Sequence, residues 1–180
     1  MKEPKQDKKS HSKPIFMQKI KTALLSYGMS GKVFHAPFLD LHSGFEITGA
    51  WERSKRLIQS DFPEVKSYAT LEALLQDDCD LVIVNTPVGT HYEYAKQVLL
   101  AGKHAIVEKA FTTTVAEAQE LAALANEKGL QLAVFQNRRW DSDFKTVQKI
   151  LQDKILGDIV EAEIHFDRYN PNLSPKVHKE

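Results

Sequence analysis

The chain has 180 residues, 42% of them apolar, with 24 Lys+Arg balanced by 24 Asp+Glu, which is material for one full domain and the beginning of another. Zero formal charge removes the global electrostatic case for a nucleic-acid or anionic-membrane partner, and no apolar run approaches the ~18 residues that span a bilayer. The single cysteine, Cys79, excludes a disulfide within the chain and points to a reducing, cytoplasmic compartment.

Residues 1–17 are Lys-rich and lack the apolar core of a secretory signal, so they read as a disordered leader. The first strand is expected at Thr22–Leu25. It runs directly into Ser26-Tyr27-Gly28-Met29-Ser30-Gly31, which has the spacing G-x-G-x-x-G with Ser26 in the first glycine's place. A strand that ends in such a turn and enters a helix aims backbone N–H groups at an anion, in this setting the pyrophosphate of a dinucleotide. Ser26, Gly28, Met29, Ser30 and Gly31 are therefore candidate cofactor residues. Gly28 lets the backbone approach the phosphates, and Gly31 lets the helix pack closely on the sheet. Pro37 cannot donate to the carbonyl of Val33, which predicts a brief first helix.

The second strand, Phe45–Trp51, delivers Glu52, 21 positions beyond Gly31. An acid there can accept from both ribose hydroxyls, which favours NAD. Arg53-Ser54-Lys55-Arg56 follows at once, and such a cluster can hold the 2′-phosphate of NADP. Read as a solvated charge run it does neither, so Glu52, Arg53 and Ser54 enter as candidates with the cofactor left as NAD or NADP. Leu71, Leu74 and Leu75 mark a short helix capped by Thr70.

The third strand, Leu81–Asn85, is apolar on both faces, as in a sheet covered by helices on both sides. Asn85, Thr86, Pro87 and His91 fall where it meets its helix, at the carboxyl edge, where open α/β sheets bind ligands. Thr90 with Glu93, and Thr114 with Glu117, fit the capping box; the two helices should end at Gly102 and Gly129. Between them His104–Glu108 forms a strand that ends at Lys109, whose ammonium can hydrogen-bond a substrate hydroxyl or carbonyl. Leu130–Phe135 is the last strand, followed at the same edge by Asn137-Arg138-Arg139-Trp140. Alternation of strands with helices predicts an α/β fold with a doubly wound parallel sheet.

After Ser142 the pattern changes. Phe144, Val147, Ile150 and Leu151 mark a helix, and Ile159–Tyr169 alternates with period two, placing Val160, Ala162, Ile164 and Phe166 on one face. A half-exposed strand is expected there, belonging to the truncated start of an α+β second domain over residues 142–180. The dinucleotide-binding domain then covers residues 18–141. Neither His35 nor His165 joins a cluster with metal-ligand spacing, so no metal is expected.

Four blocks in this order resemble the Gfo/Idh/MocA family of oxidoreductases, with the nearest likeness to members similar to scyllo-inositol dehydrogenase. They are Tyr27–Pro37, Thr86–His91, Ala101–Lys109 and Asn137–Asp141. The resemblance implies a Rossmann domain holding NAD or NADP and hydride transfer between nicotinamide and the hydroxyl or carbonyl of a polyol or sugar. It implies that Lys109 binds substrate and relays a proton. It further implies that Asn85 to His91 pass along the ribose and nicotinamide, with Glu108 and Asn137 as further cofactor contacts, and that the full-length protein is a homo-oligomer. The sequence departs from the family at Ser26, at Ala110, where the family has proline, and in having no match before Glu180 to the second domain's catalytic aspartate and histidine. On that ground the 180 residues are expected to be incomplete for catalysis. A dinucleotide-binding module without chemistry, or an inactive truncated fragment, is the alternative.

Overall fold

The computed structural model describes residues 18–52, 55–165, 167, 169 and 171. They form two compact units, one ending at Gln136 and one beginning at Asn137. The expected leader, residues 1–17, lies outside the described residues.

The first unit is built on six strands: β1 (Ile20–Leu24), β2 (Phe45–Trp51), β3 (Lys66–Tyr68), β4 (Leu81–Val84), β5 (His104–Glu108) and β6 (Leu132–Phe135). They make one sheet in the order β3-β2-β1-β4-β5-β6, with every neighbouring pair parallel. The chain winds outward from β1 through β2 to β3, then returns to β4 and winds outward on the other side. Strand order therefore reverses between β1 and β4, the switch point of a doubly wound sheet.

The helices are α1 (Ala36–Leu41), α2 (Ile58–Asp61), α3 (Leu71–Gln76), α4 (His91–Leu100), α5 (Val115–Glu127) and, in the second unit, α6 (Ser142–Gln152). None of the described helices is long and apolar enough to cross a membrane. Because successive strand residues point to opposite faces, β1 feeds two cores. Ala23 joins Leu71, Leu74, Val82, Val98, Leu99 and Leu121 in one cluster. Leu24 joins Tyr27, Ala36, Ala50 and Ile58 in the other. All four side chains of β4 are buried, as its continuous apolar run requires.

Expected caps form at two of three places. Thr70 Oγ1 accepts from Ala73 N at 3.2 Å, and Thr114 and Glu117 complete a reciprocal capping box before α5. Gly102 and Gly129 take the left-handed backbone, with φ of 75° and 65°. Thr90 does not cap. Pro87 opens a single 3-10 turn over Val88–Thr90, so Thr90 already has helical backbone angles, and its hydroxyl donates back to Pro87 O at 2.7 Å. Glu93 accepts instead from Gln97, one turn on.

α1 is brief, as expected, but Pro37 opens it rather than ending it. A π-helical turn over Gly31–His35 precedes α1, with Ala36 N donating to Gly31 O, and Pro37 falls in α1's first turn, where its missing N–H costs little. β3 and α2 were not anticipated. In the second unit the expected strand at Ile159–Tyr169 is not formed among the described residues. Val160 and Ile164 are exposed and without a ladder, since alternation marks a face but only a neighbouring strand supplies the N–H and C=O partners. Phe166 lies outside the described residues.

Candidate functional site

A cleft of about 350 Å³ opens at the switch point, within the size range of small-molecule sites. It is lined by Ser26, Tyr27 and Gly28 after β1, by Trp51, Glu52, Lys55 and Leu57 after β2, and by Thr86, Pro87, Thr90 and Tyr94 after β4. The fold thus brings five sequence candidates together: Ser26, Gly28, Glu52, Thr86 and Pro87. Arg53 and Ser54 lie outside the described residues.

The glycine turn is held from within. Ser26 Oγ accepts from Gly28 N at 3.2 Å, and Ser26 O accepts from Asn85 Nδ2 at 2.8 Å. The two glycines have different reasons to be glycine. A Cβ on Gly31 would stand 2.4 Å from Ser26 O, a clash with backbone that cannot yield cheaply. A Cβ on Gly28 would meet only Ser26 Oγ, at an ordinary 3.4 Å. Gly31 is therefore demanded by packing, whereas no described residue stands close enough to demand Gly28. Met29 is exposed beside them.

Behind the turn, Ser30, His35 and Glu108 form a hydrogen-bonded cluster. Glu108 Oε1 accepts from Ser30 Oγ at 2.5 Å and from His35 Nε2 at 3.0 Å; since an ionised carboxylate only accepts, Nε2 carries the proton. His35 is buried and packs on Phe135 with ring centroids 4.3 Å apart. Burial pushes the Glu108 carboxyl up, but the hydrogen bonds from His35, Ser30 and the Lys109 backbone outweigh it, so Glu108 lies below the ordinary carboxylate value.

Asn85 is 6% exposed, and its Oδ1 is a buried acceptor without a partner among the described residues. His91 is 1% exposed, with Nε2 2.7 Å from Thr86 O and Nδ1 2.8 Å from Ala110 O. Both ring nitrogens thus face backbone carbonyls, and the one that carries the proton donates, which places His91 between the end of β4 and the segment after β5. Lys109 is exposed and does not line the cleft; its backbone N donates to Glu108 Oε2 at 3.2 Å, and the peptide bond to Ala110 is cis.

Glu52 is engaged inside the protein. Its carboxylate accepts from Leu57 N at 2.8 Å, Ile58 N at 3.2 Å and Ser67 Oγ at 3.1 Å. Sequence reasoning missed the aromatic wall of the cleft. Trp51 and Tyr94 meet edge to face at 5.3 Å, and Trp51 Nε1 donates to Ala69 O. Tyr27 is also there: its hydroxyl donates to Asp61, and burial together with that carboxylate raises its pKa. The available signal was positional, since Trp51 ends a strand and Tyr94 lies one helical turn beyond Thr90.

In the second unit, Asn137–Trp140 forms a single 3-10 turn. Arg138 pairs with Asp141 at 2.8 Å, and Lys145 Nζ sits 5.1 Å over the exposed Trp140 ring.

Comparison with known proteins agrees with the fold. Residues 20–136 match the family described as oxidoreductase family, NAD-binding Rossmann fold (GFO_IDH_MocA). An uncharacterized oxidoreductase of Schizosaccharomyces pombe is 48% identical over 159 residues, covering 85% of this chain and 43% of that protein. The scyllo-inositol 2-dehydrogenase (NADP(+)) IolW of Bacillus subtilis is 39% identical over 158 residues, covering 87% of this chain and 44% of that protein. The solved structure of the oxidoreductase yvaA of Bacillus subtilis superposes with a TM-score of 0.84 at 38% identity, over 88% of this chain and 46% of that one. The chain spans under half the length of these relatives.

Proposed function

The chain belongs to the Gfo/Idh/MocA oxidoreductase family, and we propose that it is the cofactor-binding portion of an NAD(P)-dependent dehydrogenase acting on a polyol or sugar. The observation that carries this reading is the switch-point cleft, lined by the glycine turn on one side and by Thr86-Pro87 on the other. The residues present fit a dinucleotide. Gly28 leaves its backbone open where the protein's own packing does not require glycine, and Asn85 Oδ1 is a buried acceptor awaiting a donor. When bound, the nicotinamide supplies the hydride donor or acceptor.

The chain's own residues do the rest. Ser26, Gly28, Met29, Ser30 and Gly31 shape the pyrophosphate seat, and Asn85, Thr86 and Pro87 the face toward the second ribose. Glu108 and His91 act through other residues: Glu108 anchors the glycine turn to β5 through the Ser30 hydroxyl, and His91 fixes the segment that carries Lys109 through backbone carbonyls. Lys109 binds a substrate hydroxyl and moves its proton. The substrate class rests on the Bacillus subtilis relative that acts on scyllo-inositol. We take residues 18–141 as the cofactor domain and residues 142–180 as the start of a second one, in a cytoplasmic homo-oligomer without a metal.

Lys109 stands exposed outside the cleft, which favours a second reading, a dinucleotide-binding module without chemistry. Calorimetric titration of the folded chain with NAD and NADP tests what the two readings share; no binding of either sinks both. Turnover separates them. In a protein of the relatives' full length, Lys109→Ala should cut polyol oxidation by at least about a hundredfold while leaving cofactor affinity in place, as general acid–base catalysis of that size requires. A fully active variant rules Lys109 out.

A further inference from the structure

We propose that the adenosine end of this cleft selects NADP over NAD, with Lys55 holding the 2′-phosphate and Glu52 serving the fold instead of the ribose. The proposal rests on the dinucleotide-binding reading above and adds the choice of cofactor, which that reading leaves open.

An acid after the second strand of such a sheet selects NAD by accepting from the two ribose hydroxyls together. Glu52 stands at that place and lines the cleft, yet it is already occupied. Two oxygens offer about four lone-pair directions. Leu57 N, Ile58 N and Ser67 Oγ take three of them. A ribose diol needs two. Binding NAD through Glu52 would therefore break a bond to the start of α2 or to β3, leaving a donor there without its acceptor. Glu52 thus ties the start of α2 and the middle of β3 to the end of β2.

Lys55 belongs to the β2–α2 connection and is exposed into the same cleft. Of the described residues lining it, Lys55 is the only cation and Glu52 the only carboxylate. Among the described residues Lys55 enters no ion pair. An ammonium has three donors and no acceptor, so it gains from a phosphate and has nothing specific to offer a neutral ribose hydroxyl. The Glu52 charge does oppose a second anion, but its three donors draw on that charge, and Lys55 offsets the remainder. At near-neutral pH the 2′-phosphate carries close to two negative charges. The attraction is exposed and so must weaken with salt.

The test is calorimetry of the folded 180-residue chain with NADP and with NAD, at low and at physiological salt. NADP should bind at least about tenfold more tightly than NAD, and the gap should narrow as salt rises. Lys55→Ala should weaken NADP by about tenfold and change NAD by less than about twofold. Glu52→Gln should leave NAD affinity within about twofold in a variant whose circular dichroism and melting show it folded. Equal or tighter binding of NAD overturns the proposal, as does an equal loss of both cofactors in Lys55→Ala or a selective loss of NAD in Glu52→Gln. Lys55 is at an exposed position, so its variant decides the matter even where Glu52→Gln fails to fold. Binding of neither cofactor overturns the dinucleotide reading itself and this inference with it, whereas NAD-preferring binding overturns this inference alone.

Discussion

Gly28 and Gly31, three positions apart, should fail in opposite ways. Gly31→Ala puts a Cβ 2.4 Å from Ser26 O. Overpacking of that kind costs about 1–3 kcal/mol, or roughly 2–10 °C in melting temperature for a chain of this size. Gly28→Val meets no backbone obstacle, so melting should stay within about 2 °C of wild type while dinucleotide binding is lost. A thermal melt and a titration of each variant check the pair; a destabilised Gly28→Val would mean that the turn needs that glycine for itself. Glu108 offers a pH test. Its folded carboxyl lies below the ordinary value, so its contribution to stability is full above the unfolded pKa and is lost as pH falls through the folded one. Glu108→Gln should cost about 1–3 kcal/mol at neutral pH, the size of hydrogen bonds to a charged group. The gap between variant and wild type in urea unfolding should close in acid. A gap that stays constant down to acid would show that the charge is not what Ser30 and His35 are reading.

At the scale of elements, the two threonines expected to cap helices part company. Thr114→Ala removes a cap that is made and should cost about 1 kcal/mol in denaturant unfolding, whereas Thr90→Ala removes none and should cost α4 less. Equal losses would contradict the assignment of Thr90 to the Pro87 turn. That contrast shows what patterns can carry. The spacing Thr-x-x-Glu was present twice, but only the conformation of the first residue decides whether its oxygen faces the N–H groups, and Pro87 set that conformation from outside the motif. β2 and β5 were readable to their ends because apolar runs and their flanking turns are local. β3 was not: three residues at a sheet edge, Lys66, Ser67 and Tyr68, bury too little to leave a periodic trace, and the strand is placed by its ladder to β2. The site divides in the same way. Ser26 to Gly31 and Thr86-Pro87 were visible because turn chemistry is written in consecutive residues. Trp51 and Tyr94 were not, because their contact joins residues that only the sheet brings together. Glu52 was placed correctly on the sheet edge, but its three donors come from segments whose approach no spacing reveals.

The second unit presents Phe144, Val147, Leu151, Ile155 and Leu156 exposed along and just beyond α6. Each such side chain gains about 1.5–3 kcal/mol on burial, and a contiguous patch of them favours association. Sedimentation should therefore show self-association that rises with concentration, and Val147→Glu with Leu151→Glu should reduce it; a monomer at all concentrations would show that the stripe finds cover within the chain. In the first unit the walls of the cleft come from both sides of one seam. The ends of β1 and β2 and the residues just after them supply Ser26, Trp51 and Glu52; the segment after β4, with α4, supplies Thr86, Pro87 and Tyr94. Across that seam the protein's own links include Leu25 N to Ile83 O at 2.9 Å and Asn85 Nδ2 to Ser26 O. A ligand seated there is consequently a mechanical strut between two half-sheets. Opening them would require its release, and at a hundredfold excess over its dissociation constant that linkage adds about 2.7 kcal/mol to the cost of unfolding. The slowing of amide exchange should be greatest at Leu25 and the neighbouring amides of β4, far from the outer edges at β3 and β6, so the rhythm at which the sheet opens becomes a report on whether the cleft is filled.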